Sequence, residues 1–180
     1  MQNKVAFVSK IFIFILFFNE PLCASPKVSF GKGAYDVDRL SNETLYYARA
    51  LGLNHNVYIR INFTLKLSEE NEATLDYRLM NDSIHQVVIY ISKRISRSRQ
   101  LLAIAHEMIH AQQYISKRLM KVNDKIFSWE GNNVKLSKVA YRERPWEEEA
   151  YYLSQILRRG YLRYSSLFVL DKKRRGKSSY

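Results

Sequence analysis

The run His106-Glu107-Met108-Ile109-His110 constrains this chain more tightly than any other five residues in it. In an α-helix, side chains four apart stand one above the other on a single face, so imidazoles at i and i+4 can reach one metal ion. Glu107, beside the first histidine, is then placed to hold and deprotonate a water at that metal. Leu101-Leu102-Ala103-Ile104-Ala105 leads into the run and Ala111 follows it, which predicts a buried helix around both imidazoles. Buried ionisable groups without a metal or hydrogen-bonding partners are unfavourable. Two incidental core histidines are therefore the weaker reading.

The chain has 180 residues, enough for one domain with a core of its own. Residues 1–25 read as a separate segment. Lys4 and Lys10 precede the apolar block Ile11-Phe12-Ile13-Phe14-Ile15-Leu16-Phe17-Phe18, and polar and small residues follow to Ser25. That is the order of a secretory signal peptide, with cleavage near Ala24 or Ser25 and an exported mature protein. The block is shorter than the roughly 20 apolar residues that span a bilayer, and an uncleaved membrane anchor is the alternative. Removing the segment takes away Lys4, Lys10 and Glu20, leaving 27 basic and 16 acidic residues. It also removes Cys23, the one cysteine. Disulfides and thiolate zinc sites are thereby excluded, and a transition metal must be held by histidine and carboxylate.

Positive charge gathers at Lys93-Arg94, Arg97, Arg99, Lys117-Arg118, Arg158-Arg159 and the tail Lys172-Lys173-Arg174-Arg175. Such a surface can make electrostatic contact with anionic polymers or lipids. No nucleic-acid module accompanies it, so a solvated basic surface is the simpler account. Residues 171–180 read as a disordered basic tail after a domain spanning 26–170.

Ser41 reads as the N-cap of a short helix over 42–51. Val57 to Leu65 alternates apolar and polar residues as a half-buried strand does. Ala73 to Met80 and Gln86 to Ser92 read as two more strands joined by a turn at Met80-Asn81-Asp82-Ser83. Val87-Val88-Ile89-Tyr90-Ile91 is nearly continuous in apolar content and belongs inside the sheet. The motif helix is expected over Arg97–Met120. A small hairpin, Phe127–Trp129 with Val134–Leu136, follows. Pro145 then opens a second helix whose first turn holds Glu147-Glu148-Glu149, with Trp146, Ala150, Leu153 and Leu157 as a buried stripe.

A catalytic zinc commonly has three protein ligands and one open position. No histidine follows His110, and a continuation with His six residues on is ruled out by Gln113 and Ser116. His55 and His85 lie upstream, in a loop and at a strand start. A carboxylate of the second helix is the better third ligand. Glu147 and Glu149 point about 200° apart around a helix, so both cannot face one ion. Glu147 shares a face with the small Ala150 and comes first; Glu149 is the second choice, Glu148 reads as solvated, and His85, Glu130 and Glu143 come next.

With its HExxH run and the later Arg144-Pro145-Trp146-Glu147-Glu148-Glu149-Ala150, the chain resembles the HExxH…E zincins, the gluzincin type, and in particular small bacterial zincin-like proteins. The resemblance covers roughly residues 85–157. Related peptidases place the ligand glutamate at the start of an E-x-x-A-D stretch; here that glutamate is Glu147, the alanine is Ala150, and Tyr151 stands where the aspartate would be. The resemblance implies a zincin-like α+β fold, with a small, mostly antiparallel sheet packed on the active-site helix and a second ligand-bearing helix. It implies a zinc metallopeptidase acting on peptide or protein substrates, with Zn²⁺ on His106, His110 and Glu147 and with Glu107 as general base. Tyr141 and Tyr151 are the candidate oxyanion donors among thirteen tyrosines. The alternatives are a catalytically weak zincin-fold binding protein and a basic exported protein that binds anionic polymers.

Overall fold

The computed structural model describes residues 25–31, 33–68, 70–81 and 83–175, with side chains as far as Leu167. The expected signal peptide lies outside the described residues apart from Ser25, whose hydroxyl accepts from Arg49 at 3.1 Å. In chain order the elements are β1 (Lys27–Phe30), α1 (Val37–Ala50), β2 (Val57–Thr64), β3 (Ala73–Asn81), β4 (Ile84–Ser92), α2 (Arg97–Ile115), β5 (Leu119–Asn123), β6 (Ile126–Trp129), β7 (Asn132–Lys135) and α3 (Pro145–Arg175). Among the described residues, no helix is long and apolar enough to cross a membrane.

The fold is α+β, but the larger sheet is mixed rather than mostly antiparallel. Its order is β1-β2-β4-β3. β1 and β4 both run parallel to β2, and only β3 runs antiparallel to its neighbour β4. Local sequence could not reveal this. The parallel pair β1–β2 is joined through α1, a crossover that parallel strands require, and β1 is a four-residue strand with little signal of its own. β3 and β4 form the expected hairpin, and β4 is an interior strand as its apolar content implied. Register aligns Ile59, Ile61 and Phe63 with Val87, Ile89 and Ile91, and these six residues are all buried. They form the sheet face on which α2 lies, while Tyr58 and Tyr90 on the other face stay exposed.

Three helix boundaries depart most from expectation, the first two for a packing reason. α1 starts four residues before Ser41, because Leu40 extends the buried stripe that continues through Glu43, Thr44, Tyr47 and Ala48. α2 ends at Ile115 rather than Met120. Lys117 takes a left-handed backbone, φ 58°, and Leu119 then pairs with Trp129 as strand β5. Helical backbone in α3 continues through Arg175, so the first half of the expected tail is helix; residues 176–180 lie outside the described residues.

The expected hairpin is present as β6–β7, and β5 completes a three-stranded antiparallel sheet. Glu130 and Gly131 form its two-residue turn at φ 49° and 84°, the left-handed pair that such tight hairpins demand. This small sheet packs Leu119 and Trp129 against Trp146. It thereby fixes the start of α3, whose first turn holds Glu147 and Glu148 and is followed by Glu149.

Candidate metal centre

α2 is capped by Ser96, whose hydroxyl accepts from the Arg99 amide at 3.4 Å. From there, helical periodicity buries Leu101, Ile104, Ala105, Met108 and Ile109 in the core and leaves His106 and His110 to face α3. Pro145 sits at the first position of α3, where its missing N–H is harmless. The Glu147 carboxylate enters the gap between the helices.

Three atoms converge there. His106 Nε2 and His110 Nε2 lie 3.1 Å apart, and Glu147 Oε2 lies 3.3 Å from the first and 3.4 Å from the second. These separations match the edge of a tetrahedron, about 3.3–3.4 Å, whose centre is 2.0–2.1 Å from each corner as in zinc–imidazole and zinc–carboxylate bonds. Glu147 Oε2 is buried and meets neither ring in hydrogen-bond geometry. A buried carboxylate oxygen left in that condition suits a cation. The donor set of two imidazoles and a carboxylate fits zinc, and the group can hold a metal ion.

The electrostatics follow from this arrangement. Burial by itself would raise the Glu147 carboxyl, but the adjoining imidazoles of His106 and His110 bring it down to about 2. Burial would lower His110, yet Glu147 and then Glu107 outweigh it and hold the ring above its ordinary value. Glu107 is buried beside the trio, and desolvation raises its carboxyl; the two imidazoles oppose that and Glu147 adds to it.

The second-choice ligand, Glu149, lies elsewhere. It is 2 % exposed, and its carboxylate accepts from Gln113 Nε2 at 2.8 Å and Arg118 at 3.0 Å. Glu148 is exposed, as expected. His55 is exposed, and His85 is taken by the Tyr77 hydroxyl at 2.9 Å. Glu130 pairs with Arg118, and Glu143 is exposed. Of the two tyrosines, Tyr151 lays its ring 4.6 Å from that of His106. Tyr141 sits in a 3-10 turn with the Arg144 guanidinium over its ring; burial, then the charge of Glu147, raises its hydroxyl.

Three contributors escape a motif-based reading. Gln113 is fully buried and accepts from His110 Nδ1 at 2.8 Å. Tyr114, one turn beyond His110, is raised to about 12 by burial and by the charges of Glu147 and Glu107. Arg118, read as part of a solvated basic surface, is half-buried and paired with Glu149 and Glu130 over the Trp129 ring. Helical spacing from His110 points to Gln113 and Tyr114, but no local signal distinguishes Arg118 from its basic neighbours. Comparisons with protein-family models, with curated proteins and with solved structures return no match.

Proposed function

We propose that this protein is a zinc-dependent metallopeptidase whose ion is held by His106, His110 and Glu147. The observation that carries this reading is the tetrahedral spacing of those three atoms directly beside Glu107. Bound there, zinc would supply the Lewis acidity that polarises a scissile carbonyl and brings the acidity of water near neutral pH. Glu107 takes the proton from the attacking water and passes it to the leaving amine, and a base raised by burial is better matched to operation near pH 7. Tyr141 and Tyr114 carry raised hydroxyls near the acidic pair, so each keeps the proton it needs to donate to a developing oxyanion.

A peptide substrate is favoured by the sheet edge. β3 has no partner on its outer side among the described residues. Its Tyr77 stacks on Tyr114 at 5.4 Å and 11°. An extended peptide added along that edge would hydrogen-bond through its main chain and run beside the Tyr77–Tyr114 stack on the side of α2. The test is elemental analysis of the chain purified with zinc, followed by hydrolysis of a mixed peptide library with and without chelator. About one zinc per chain and chelator-sensitive cleavage are expected. A folded chain that takes up no zinc sinks the proposal; one zinc with no cleavage of any peptide reduces it to a metal-binding protein.

A further inference from the structure

Gln113 lies three residues beyond His110, on the same side of α2, and is completely buried. A buried glutamine carries one acceptor end and one donor end, and its surroundings decide which way the amide points. Here two acceptors decide it. The Trp146 carbonyl lies 3.1 Å from Nε2 and Glu149 Oε2 lies 2.8 Å from it. Turning the amide over would set its oxygen against both of those oxygens, exchanging two hydrogen bonds for two repulsive contacts. Glu149 is itself held, because Arg118 donates to its other oxygen at 3.0 Å. Oε1 of Gln113 must therefore face His110 Nδ1. An acceptor at 2.8 Å from that nitrogen requires the nitrogen to carry a proton, so in the neutral ring it is Nε2 that keeps its lone pair, turned toward His106 and Glu147.

We propose that Gln113 is the positioning residue of the metal centre: anchored by Trp146, Glu149 and Arg118, it fixes His110 as the Nδ1–H tautomer with Nε2 turned to the ion. This rests on the metal reading above. It also gives the buried Glu149 a task distinct from that of Glu147 two residues earlier. Partners that orient a ligand histidine typically contribute 10–100-fold to metal affinity. The anchor reaches His110 from the start of α3, through Trp146 and Glu149, and from Arg118 between α2 and β5.

The experiment is zinc competition against a chromogenic chelator, with the His110 ring nitrogens followed by ¹⁵N NMR in the zinc-loaded protein. Wild type is expected to carry its ring proton on Nδ1. Gln113→Met should weaken zinc by about 10–100-fold and lose the slowly exchanging ring N–H signal, while thermal unfolding of the metal-free protein reports any general loss of fold. The polarity swap Gln113→Glu with Glu149→Gln returns an acceptor toward His110 at position 113 and supplies a donor to it from position 149, while the Trp146 carbonyl loses its donor. It should restore the ring N–H signal and recover part of the zinc affinity lost in Gln113→Met, an outcome that a merely structural glutamine does not predict. Wild-type zinc binding with a proton on Nε2 of His110 overturns the proposal without any variant, as does unchanged affinity in a folded Gln113→Met. Absence of zinc from the wild-type protein overturns the metal reading and this one together.

Discussion

Two glutamates are buried at opposite ends of the contact between α3 and its neighbours, and their partners differ in kind. Glu43 of α1 is met by the Arg158 guanidinium at 3.0 Å and by the Tyr47 hydroxyl. Tyr46, Tyr47 and Tyr161 enclose that pair edge-on, with ring centroids 5.6–6.3 Å apart. Glu147 faces no permanent cation: the nitrogens near it belong to the imidazoles of His106 and His110, which carry lone pairs of their own, and the Tyr141 hydroxyl lies beside it. The first cluster holds a permanent cation and is electrically complete. The second becomes complete only by taking up protons or a metal ion. Burial of a charged group is therefore no mark of a site; the character of what faces it is.

Several experiments can break or sharpen that contrast. His110→Ala has the largest expected effect, complete loss of stoichiometric zinc by elemental analysis, whereas Arg158→Met should keep the full complement. Next, Glu107→Gln should retain zinc and lower peptide cleavage by about 10²–10⁴-fold, since it removes a base and not a ligand. Loss of the metal in that variant would show that Glu107 had been given the wrong role. Third, Arg158→Met leaves Glu43 buried and unpaired, so urea denaturation should report destabilisation of about 3–5 kcal/mol. A change below about 1 kcal/mol, the range of exposed ion pairs, would mean that the Glu43 end is no more anchored than a surface contact.

The pH dependence of stability is the subtlest test, and the two glutamates should push it in opposite directions. Burial raises Glu43 above its ordinary 4.5, against the opposing pull of Tyr47, Arg158 and Arg39. Its contribution is full below that pH and declines as pH rises through the folded value. Glu147 is lowered from 4.5 to about 2. Its contribution is present above pH 4.5 and declines as pH falls toward 2. Denaturation profiles recorded in chelator should therefore lose the acid-side decline in Glu147→Gln and the decline on rising pH in Glu43→Gln. Identical profiles for the two variants would erase the distinction.

Glu147 lies about as far from His110 in sequence as Glu149 does from Gln113, and only the helix start at Pro145 and the resemblance to E-x-x-A-D stretches single it out. The histidine pair was legible because His106 and His110 are one turn apart. The support around them was not. Gln113 meets Trp146 and Glu149 across 33 and 36 positions, and nothing near Gln113 announces those contacts. Leu119 and Met120 look like a continuation of α2, since both residues favour helix; pairing with Trp129 and Ser128 overrides that preference. The mixed sheet was hidden for a related reason. A strand's alternation shows which face is buried, but the direction of its neighbour depends on the route of the chain between them.

One dimension of α3 limits how its sequence can change. Glu147 and Arg158 stand about three turns apart along the helix and only about 20° apart around it. Ala150, Ser154, Leu157 and Tyr161, all buried, lie in the same stripe. Inserting or deleting a single residue between the two would rotate one end by about 100° relative to the other. Glu147 could then reach the histidines or Arg158 could reach Glu43, but an unbroken helix could not satisfy both. Side chains on the outer face of that segment, such as Tyr152 and Arg159, are open to exchange; its residue count is not.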